Sequence, residues 1–283
     1  MFKVKFNHVN DIMKRRDFIR RVSSASLVLL GGNVIKLTPA QAADLQKKAT
    51  LRFVVASDGH YGEKGTEFDH YYQDLVRNIS SFHSENKLNF CVINGDIIHD
   101  EKDLLVAAKK HLDNLPVNYY VSKGNHDKVS DAYWKEIWGM AVNHAVTLKK
   151  NSLLLATTSN EKGEYLSPDL TWMKAQLDAS MAQDNIFIFL HIPQAKWSKH
   201  AIDTPEFFEL LRKYKNVRAV FHGHEHDHDE VKLHDEIPFM FDSHFGGSWG
   251  TTYRGFRVVE LAKDNSFVTY IMNPNDKINL ATF

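Results

Sequence analysis

Five short clusters of acid, imidazole and amide side chains could do chemistry in this sequence. They are Asp58-Gly59-His60, Asn94-Gly95-Asp96, Gly124-Asn125-His126-Asp127, His191-Ile192-Pro193 and Gly223-His224-Glu225-His226. Together they offer oxygen and nitrogen donors without sulfur, a set that suits Mn, Fe, Co, Ni or Zn rather than Ca or a cysteine-built structural zinc. In an extended segment residues i and i+2 point the same way, so Asp58 and His60 can reach one ion together. His224 and His226 alternate likewise, and in a tight turn they can straddle two adjacent ions. The Asp96 carboxylate has two oxygens and can bridge a pair. Glycine beside a motif lets the backbone turn sharply and approach an ion closely. Each motif alone is weak, because Gly and Asn favour turns anyway. Five of them in fixed order, each after an apolar run, would be five coincidences under a purely structural reading.

Strands and helices must hold these motifs in place. Apolar, β-branched or aromatic runs at 51–56, 90–93, 117–121, 153–157, 186–190 and 217–221 read as strands. Helical periodicity over 68–82 puts Phe68, Tyr71, Tyr72, Leu75, Val76, Ile79 and Phe82 on one face. Further helices are expected over 104–112, 167–181 and 204–214, the last two capped by Ser167 and Thr204 with proline at the first helical position. The tail reads as all-β, with strands at 231–233, 237–241, 256–261 and 267–271. All five motifs therefore fall at strand ends, where α/β sheets place ligands. There is no repeat, low-complexity segment or Pro/Gly linker, so one α/β domain over 43–283 is expected.

The first 42 residues read differently. Lys14-Arg15-Arg16-Asp17-Phe18 precedes a moderately apolar stretch over 22–37 and then Pro39-Ala40-Gln41-Ala42. A basic region, an apolar region and an Ala-x-Ala site in that order describe a leader cleaved after Ala42. The paired arginines resemble the twin-arginine export signal. That implies the twin-arginine export machinery as a partner, and a periplasmic or extracellular mature protein exported already folded. Folding in the cytoplasm would also choose the metal, because most N/O sites otherwise favour copper and zinc over manganese and iron. The apolar stretch holds Ser23, Ser24, Ser26, Gly31, Gly32 and Asn33, too polar and short for a stable membrane span. The whole chain carries 35 basic and 35 acidic residues. Eight of the basic and two of the acidic ones lie in residues 1–42, which leaves −6 beyond them and no evident attraction to nucleic acid. Cys91 is the single cysteine and sits in an apolar run, which excludes an internal disulfide.

Over residues 50–260 the five motifs resemble the calcineurin-like metallophosphoesterase superfamily. The resemblance implies a four-layer αββα sandwich with two divalent metal ions at the sheets' C-terminal edge, Mn or Fe favoured and Zn, Co or Ni workable. It implies Asp58, His60 and His226 on one ion, Asn125, His191 and His224 on the other, and Asp96 bridging both. His126 would be no ligand but a catalytic acid near the leaving group, oriented by Asp127. Purple acid phosphatases carry a metal-binding Tyr three residues after the bridging Asp; His99 stands there, which argues against a purple-type iron site. The implied activity is hydrolysis of a small phosphate ester by metal-activated water. The Asn-Gly-Asp and Gly-Asn-His-Asp patterns resemble small bacterial phosphodiesterases, including cyclic-nucleotide types. The same ligands serve phosphomonoesterases, and a non-catalytic periplasmic metal-binding protein is the reading from another class. Retention of all seven ligand positions and His126 counts against the last. In the segment 242–250, Trp249 could stack on a base or sugar, or simply pack. His99 and Asp100 could touch substrate but read rather as polar loop residues, and His222, His228 and His234 as solvated surface.

Overall fold

Alternation along the central strands decides the architecture. The computed structural model describes residues 26–30, 33–37, 46–264, 266–273 and 276–282. In strand β3 (Ala49–Ala56), Phe53 and Val55 face one side and Val54 and Ala56 the other, all fully buried. A strand buried on both faces must be covered on both faces. One face packs sheet on sheet: Phe53, Val55, Phe90 and Val92 meet Leu153, Leu155, Phe187, Phe189 and Phe221. Phe53 stacks on Phe90 with ring centres 4.7 Å apart and meets Phe187 and Phe221 edge-on.

The first sheet has eight strands in the order β2 (Asn33–Leu37), β1 (Ser26–Leu30), β14 (Asp276–Thr282), β13 (Phe267–Asn273), β12, β3, β4 and β5, the second six in the order β10-β11-β9-β8-β7-β6. In the first, β3, β4 (Phe90–Asn94) and β5 (Tyr119–Ser122) run parallel, while β12 (Phe256–Ala262) lies antiparallel to β3. In the second, β7 (Asn151–Ala156), β8 (Asn185–Leu190), β9 (Val217–His222) and β11 (Ile237–Phe241) run parallel. Strands β6 (His144–Leu148) and β10 (Val231–His234) close its edges. Helices α1 (Phe68–Glu85), α2 (Leu105–Leu112) and α3 (Asp131–Trp138) cover the outside of the first sheet through Tyr72, Leu75, Ile79, Leu105 and Trp134. Helices α4 (Leu170–Ala179) and α5 (Pro205–Leu211) cover the second through Met173, Leu177, Phe207 and Leu211. The expected αββα layering is the one observed.

Two caps differ from expectation. Helix α4 starts after Asp169, whose side chain accepts from Thr171 N and Trp172 N, and not at Ser167. The Ser167 hydroxyl lies 2.8 Å from Thr204 Oγ1 instead. Thr204 precedes Pro205 as expected, but its hydroxyl donates to Gln194 Oε1 and caps nothing. Helix α3, strand β6 and strand β14 (Asp276–Thr282) have no counterpart in the sequence reading.

Arg15, Arg16 and the cleavage site at 40–42 lie outside the described residues. Part of the apolar stretch forms strands β1 (Ser26–Leu30) and β2 (Asn33–Leu37), an antiparallel pair of which β1 lies parallel to β14. Among the described residues no helix is long and apolar enough to cross a membrane.

Candidate metal centre

Strands β3, β4, β5, β8 and β9 all end at one edge of the sandwich, and each delivers its motif there. Asp58, His60 and His226 bring ligand atoms within 4.8 Å of one another, and Asp96, His191 and His224 do the same beside them. The pair from the last motif is thus divided between the clusters, as its tight turn requires. Asp96 stands between them: its Oδ2 is 3.1 Å from His191 Nε2 and 3.7 Å from His60 Nε2. Its Oδ1 accepts the His126 backbone N–H at 2.7 Å, so a single oxygen faces both clusters. Asp58 Oδ1 is also central, 3.2 Å from His226 Nε2 and 3.7 Å from His191 Nε2.

The backbone that achieves this is not the extended one expected. Asp58, His60, Asp96 and His224 all have positive φ, from 44° to 68°. Non-glycine residues seldom occupy that region, and when they do the surroundings must hold them there. Here two turns brace each other. Asp58 N donates to Gly95 O, and Gly59 N and His60 N both donate to Asp96 O. His224 N donates to the Asp58 carboxylate.

Second partners choose the imidazole tautomers. His191 Nδ1 donates to Asn94 O at 2.8 Å and His226 Nδ1 to Trp249 O at 3.1 Å. Each ring therefore presents an unprotonated Nε2 inward when neutral, the arrangement of metal-ligating histidines. Burial raises the Asp58 carboxyl, but the imidazoles of His226 and His191 outweigh it and bring it down to about 2. Burial likewise opposes a charged His191, yet Asp96 and Asp58 push it up to about 10. Burial holds His224 down, to about 4, and His60 well below the usual imidazole range. Two carboxylates facing imidazoles in a buried space form a charge arrangement that cations complete.

Orphaned atoms test the fit to metal. Asn125 Oδ1 and His224 Nε2 are buried without a hydrogen-bond partner, while His191 Nε2 faces the Asp96 and Asp58 carboxylates at 3.1 and 3.7 Å. Such orphans are costly unless something unseen binds them. These three atoms are the donors that a second ion needs beside Asp96. The donor set fits a pair of divalent metals, with nitrogen and oxygen ligands and no sulfur.

Asp127 is not where the sequence reading put it. Its carboxylate is buried and accepts Ile98 N and Gly124 N, both at 2.9 Å, so it braces two motif loops and does not orient His126. Burial and the nearby Asp96 push it up to about 7. His126 Nδ1 instead meets Asp100 Oδ1 at 2.9 Å, and Lys128 Nζ lies 2.8 Å from Asp100 Oδ2. His99 is no idle loop residue either. Its Nδ1 is 3.0 Å from His60 Nδ1 and its ring stacks on His126 at 4.8 Å. His222 is fully buried rather than solvated, donating Nδ1 to Leu190 O, and burial takes it down to about 3. His228 and His234 are half-buried beside Glu230 and Asp235. Only the two residues after Ile98 carry a sequence signal for the missed pair: an imidazole and a carboxylate directly behind the Asp96 turn.

Comparison with known proteins agrees on the frame. Among solved structures, a dimetal phosphatase from Danio rerio is similar with a TM-score of 0.66 and 15% identity, covering 83% of this chain and 98% of that one. GAP50, described as the anchor in the inner membrane complex of Plasmodium, gives 0.59 at 15% identity over 82% and 90%. The purple acid phosphatase PPD1 from yellow lupin gives 0.59 at 11% identity over 82% and 53%. No curated protein sequence matches the chain. The family model of the calcineurin-like phosphoesterases matches residues 51–228, a span that holds all five motifs. By that match the chain belongs to the calcineurin-like phosphoesterases, metal-dependent hydrolases of phosphate esters.

Proposed function

We propose that the chain hydrolyses small phosphate diesters, of cyclic-nucleotide or similar size, in the periplasm or outside the cell after twin-arginine export. One ion would be held by Asp58, His60 and His226, the other by Asn125, His191 and His224, with Asp96 shared between them. When bound, a pair of divalent ions supplies Lewis acidity at the phosphoryl group and lowers the pKa of water toward neutrality. The chain's own part is orientation and proton delivery. With Nδ1 on Asp100, His126 keeps Nε2 for the leaving oxygen, to which it donates a proton. Asp127 fixes the Gly124 and Ile98 backbones, and through them the loops carrying Asn125 and Asp96. Mn or Fe is the preferred pair on the grounds of folding before export.

The observation that carries this reading is the pair of orphaned donors, Asn125 Oδ1 and His224 Nε2, gathered beside His191 Nε2 and Asp96. Fold likeness cannot carry it, because the similar structures include both phosphatases and an anchor protein. Preference for diesters rests on the Asn94-Gly95-Asp96 and Gly124-Asn125-His126-Asp127 patterns. The test is a panel of cyclic nucleotides, glycerophosphodiesters and phosphomonoesters with chelator or added Mn, run on wild type, Asp96→Asn and His226→Ala. Wild type should hydrolyse diesters best and lose all activity with chelator. Asp96→Asn should hold fewer than two metals per chain by elemental analysis. It should lose at least as much activity as His226→Ala, without rescue by Mn. Two metals and near-normal turnover in Asp96→Asn would reject the shared-carboxylate assignment. A monoester preference would reject the diesterase reading alone.

A further inference from the structure

Trp249 is a large apolar side chain that the fold leaves 43% exposed at the rim of the metal centre. Its ring lies on His226, 4.2 Å away and within 12° of parallel, and 4.8 Å from the His60 ring. His244 stacks on His226 at 5.0 Å and 19°. The loop that carries the indole is also held firmly. Trp249 O accepts His226 Nδ1, and Thr251 N donates to His226 O. Ser248 Oγ donates to Glu63 Oε1 at 2.5 Å. Arg254 donates to Gly247 O at 2.8 Å while its guanidinium lies 3.9 Å above the Tyr71 ring. An exposed aromatic face that is already ordered loses little entropy when a ligand stacks on it.

Position gives the face a direction. His126, the proposed proton donor, has its ring 4.8 Å from His60, on which Trp249 also leans, and stacks on His99, whose ring is 6.4 Å from Trp249. His126 and Trp249 thus both border His60 and His99, so a leaving group protonated by His126 would depart past Trp249.

We infer that Trp249 is a stacking platform for the leaving group, so that the enzyme selects phosphate esters whose leaving alcohol carries a planar aromatic group, as nucleosides do. This rests on the hydrolytic reading above and adds its substrate class. Base–aromatic stacking contributes enough for about a tenfold or larger preference.

The test compares adenosine 5′-monophosphate with glycerol 3-phosphate, and 3′,5′-cyclic AMP with glycerophosphocholine. All are alkyl esters, so they separate stacking from proton demand better than p-nitrophenyl esters do. In the Mn-loaded protein the ratio of kcat/KM, nucleotide over glycerol ester, should fall about tenfold in Trp249→Ala, chiefly through KM, and largely recover in Trp249→Phe. Calorimetric titration with adenosine monophosphate should show the same loss of affinity, with metal content unchanged. Equal losses on both members of each pair, or loss of metal, would overturn the platform and make Trp249 a packing partner of His226. If wild type hydrolyses none of these esters, the hydrolytic reading fails. The titration still decides the platform: nucleotide bound no more tightly than glycerol phosphate overturns it.

Discussion

His126 Nδ1 and Asp100 Oδ1 meet at 2.9 Å, and in the proposed mechanism this contact leaves Nε2 to protonate the leaving group. Replacing His126 by Ala should leave both metals in place, because none of its ring atoms belongs to the two Asp-containing clusters. Alkyl esters should slow by about 10²–10⁴-fold and p-nitrophenyl esters far less, since a good leaving group needs little protonation. Asp100→Asn keeps an acceptor for Nδ1 and should lose less than His126→Ala. Rates across leaving groups of graded pKa check this: equal losses at both ends of the series would give His126 another role. The seven candidate ligands were legible because their types and strand-end spacing repeat five times. The Asp100 partnership was not. It depends on Asp100 adopting φ of 69° and donating its N–H to His126 O, a loop-to-loop contact that sequence spacing does not encode.

At the scale of elements, the centre depends on turns that fold against one another. Gly95 has φ of 86°, and a Cβ there would stand within 3 Å of the His191 ring. Gly95→Ala therefore imposes both backbone strain and a collision with a candidate ligand. It should destabilise the protein by about 1–3 kcal/mol from strain alone and weaken the second metal site first. Thermal unfolding and metal content read this out; a variant with unchanged Tm and two tightly held metals would contradict the geometry. The long apolar strands were legible because both faces are buried. Helix α3 was not: it is eight residues long, with Trp134 and Trp138 as its buried residues, too little for a periodic signal. Strand β6 alternates half-buried and exposed residues at a sheet edge, but with only Val146 and Leu148 packed on the core it is too short to stand out in the sequence. The α4 start was misread because Ser167 looks like a cap before Pro168. Its hydroxyl is engaged with Thr204, which leaves Asp169 to satisfy the first free N–H groups.

At the scale of the whole molecule, the export reading makes a demand on the sheet. Cleavage after Ala42 removes β1 and β2 and turns β14 into an edge strand. Three strands, β14, β13 and β12, separate β1 from β3, the nearest strand that carries a metal motif. The join is also slight, with β1 and β14 in register at Leu27–Ala281 and Val28–Thr282. A chain of residues 43–283 should therefore fold, bind two metals and keep full activity, its Tm within about 4 °C of the full chain, on the order of 1 kcal/mol for a domain of this size. The protein recovered from the periplasm should have the mass of a chain beginning at Ala43. Changing both Arg15 and Arg16 to Lys should hold a folded, metal-loaded precursor in the cytoplasm. Unchanged periplasmic activity in that double variant would exclude the twin-arginine route. A 43–283 chain that unfolds or loses its metals would show that the β1–β2 pair belongs to the working domain, and that the apolar stretch is structure and not a leader.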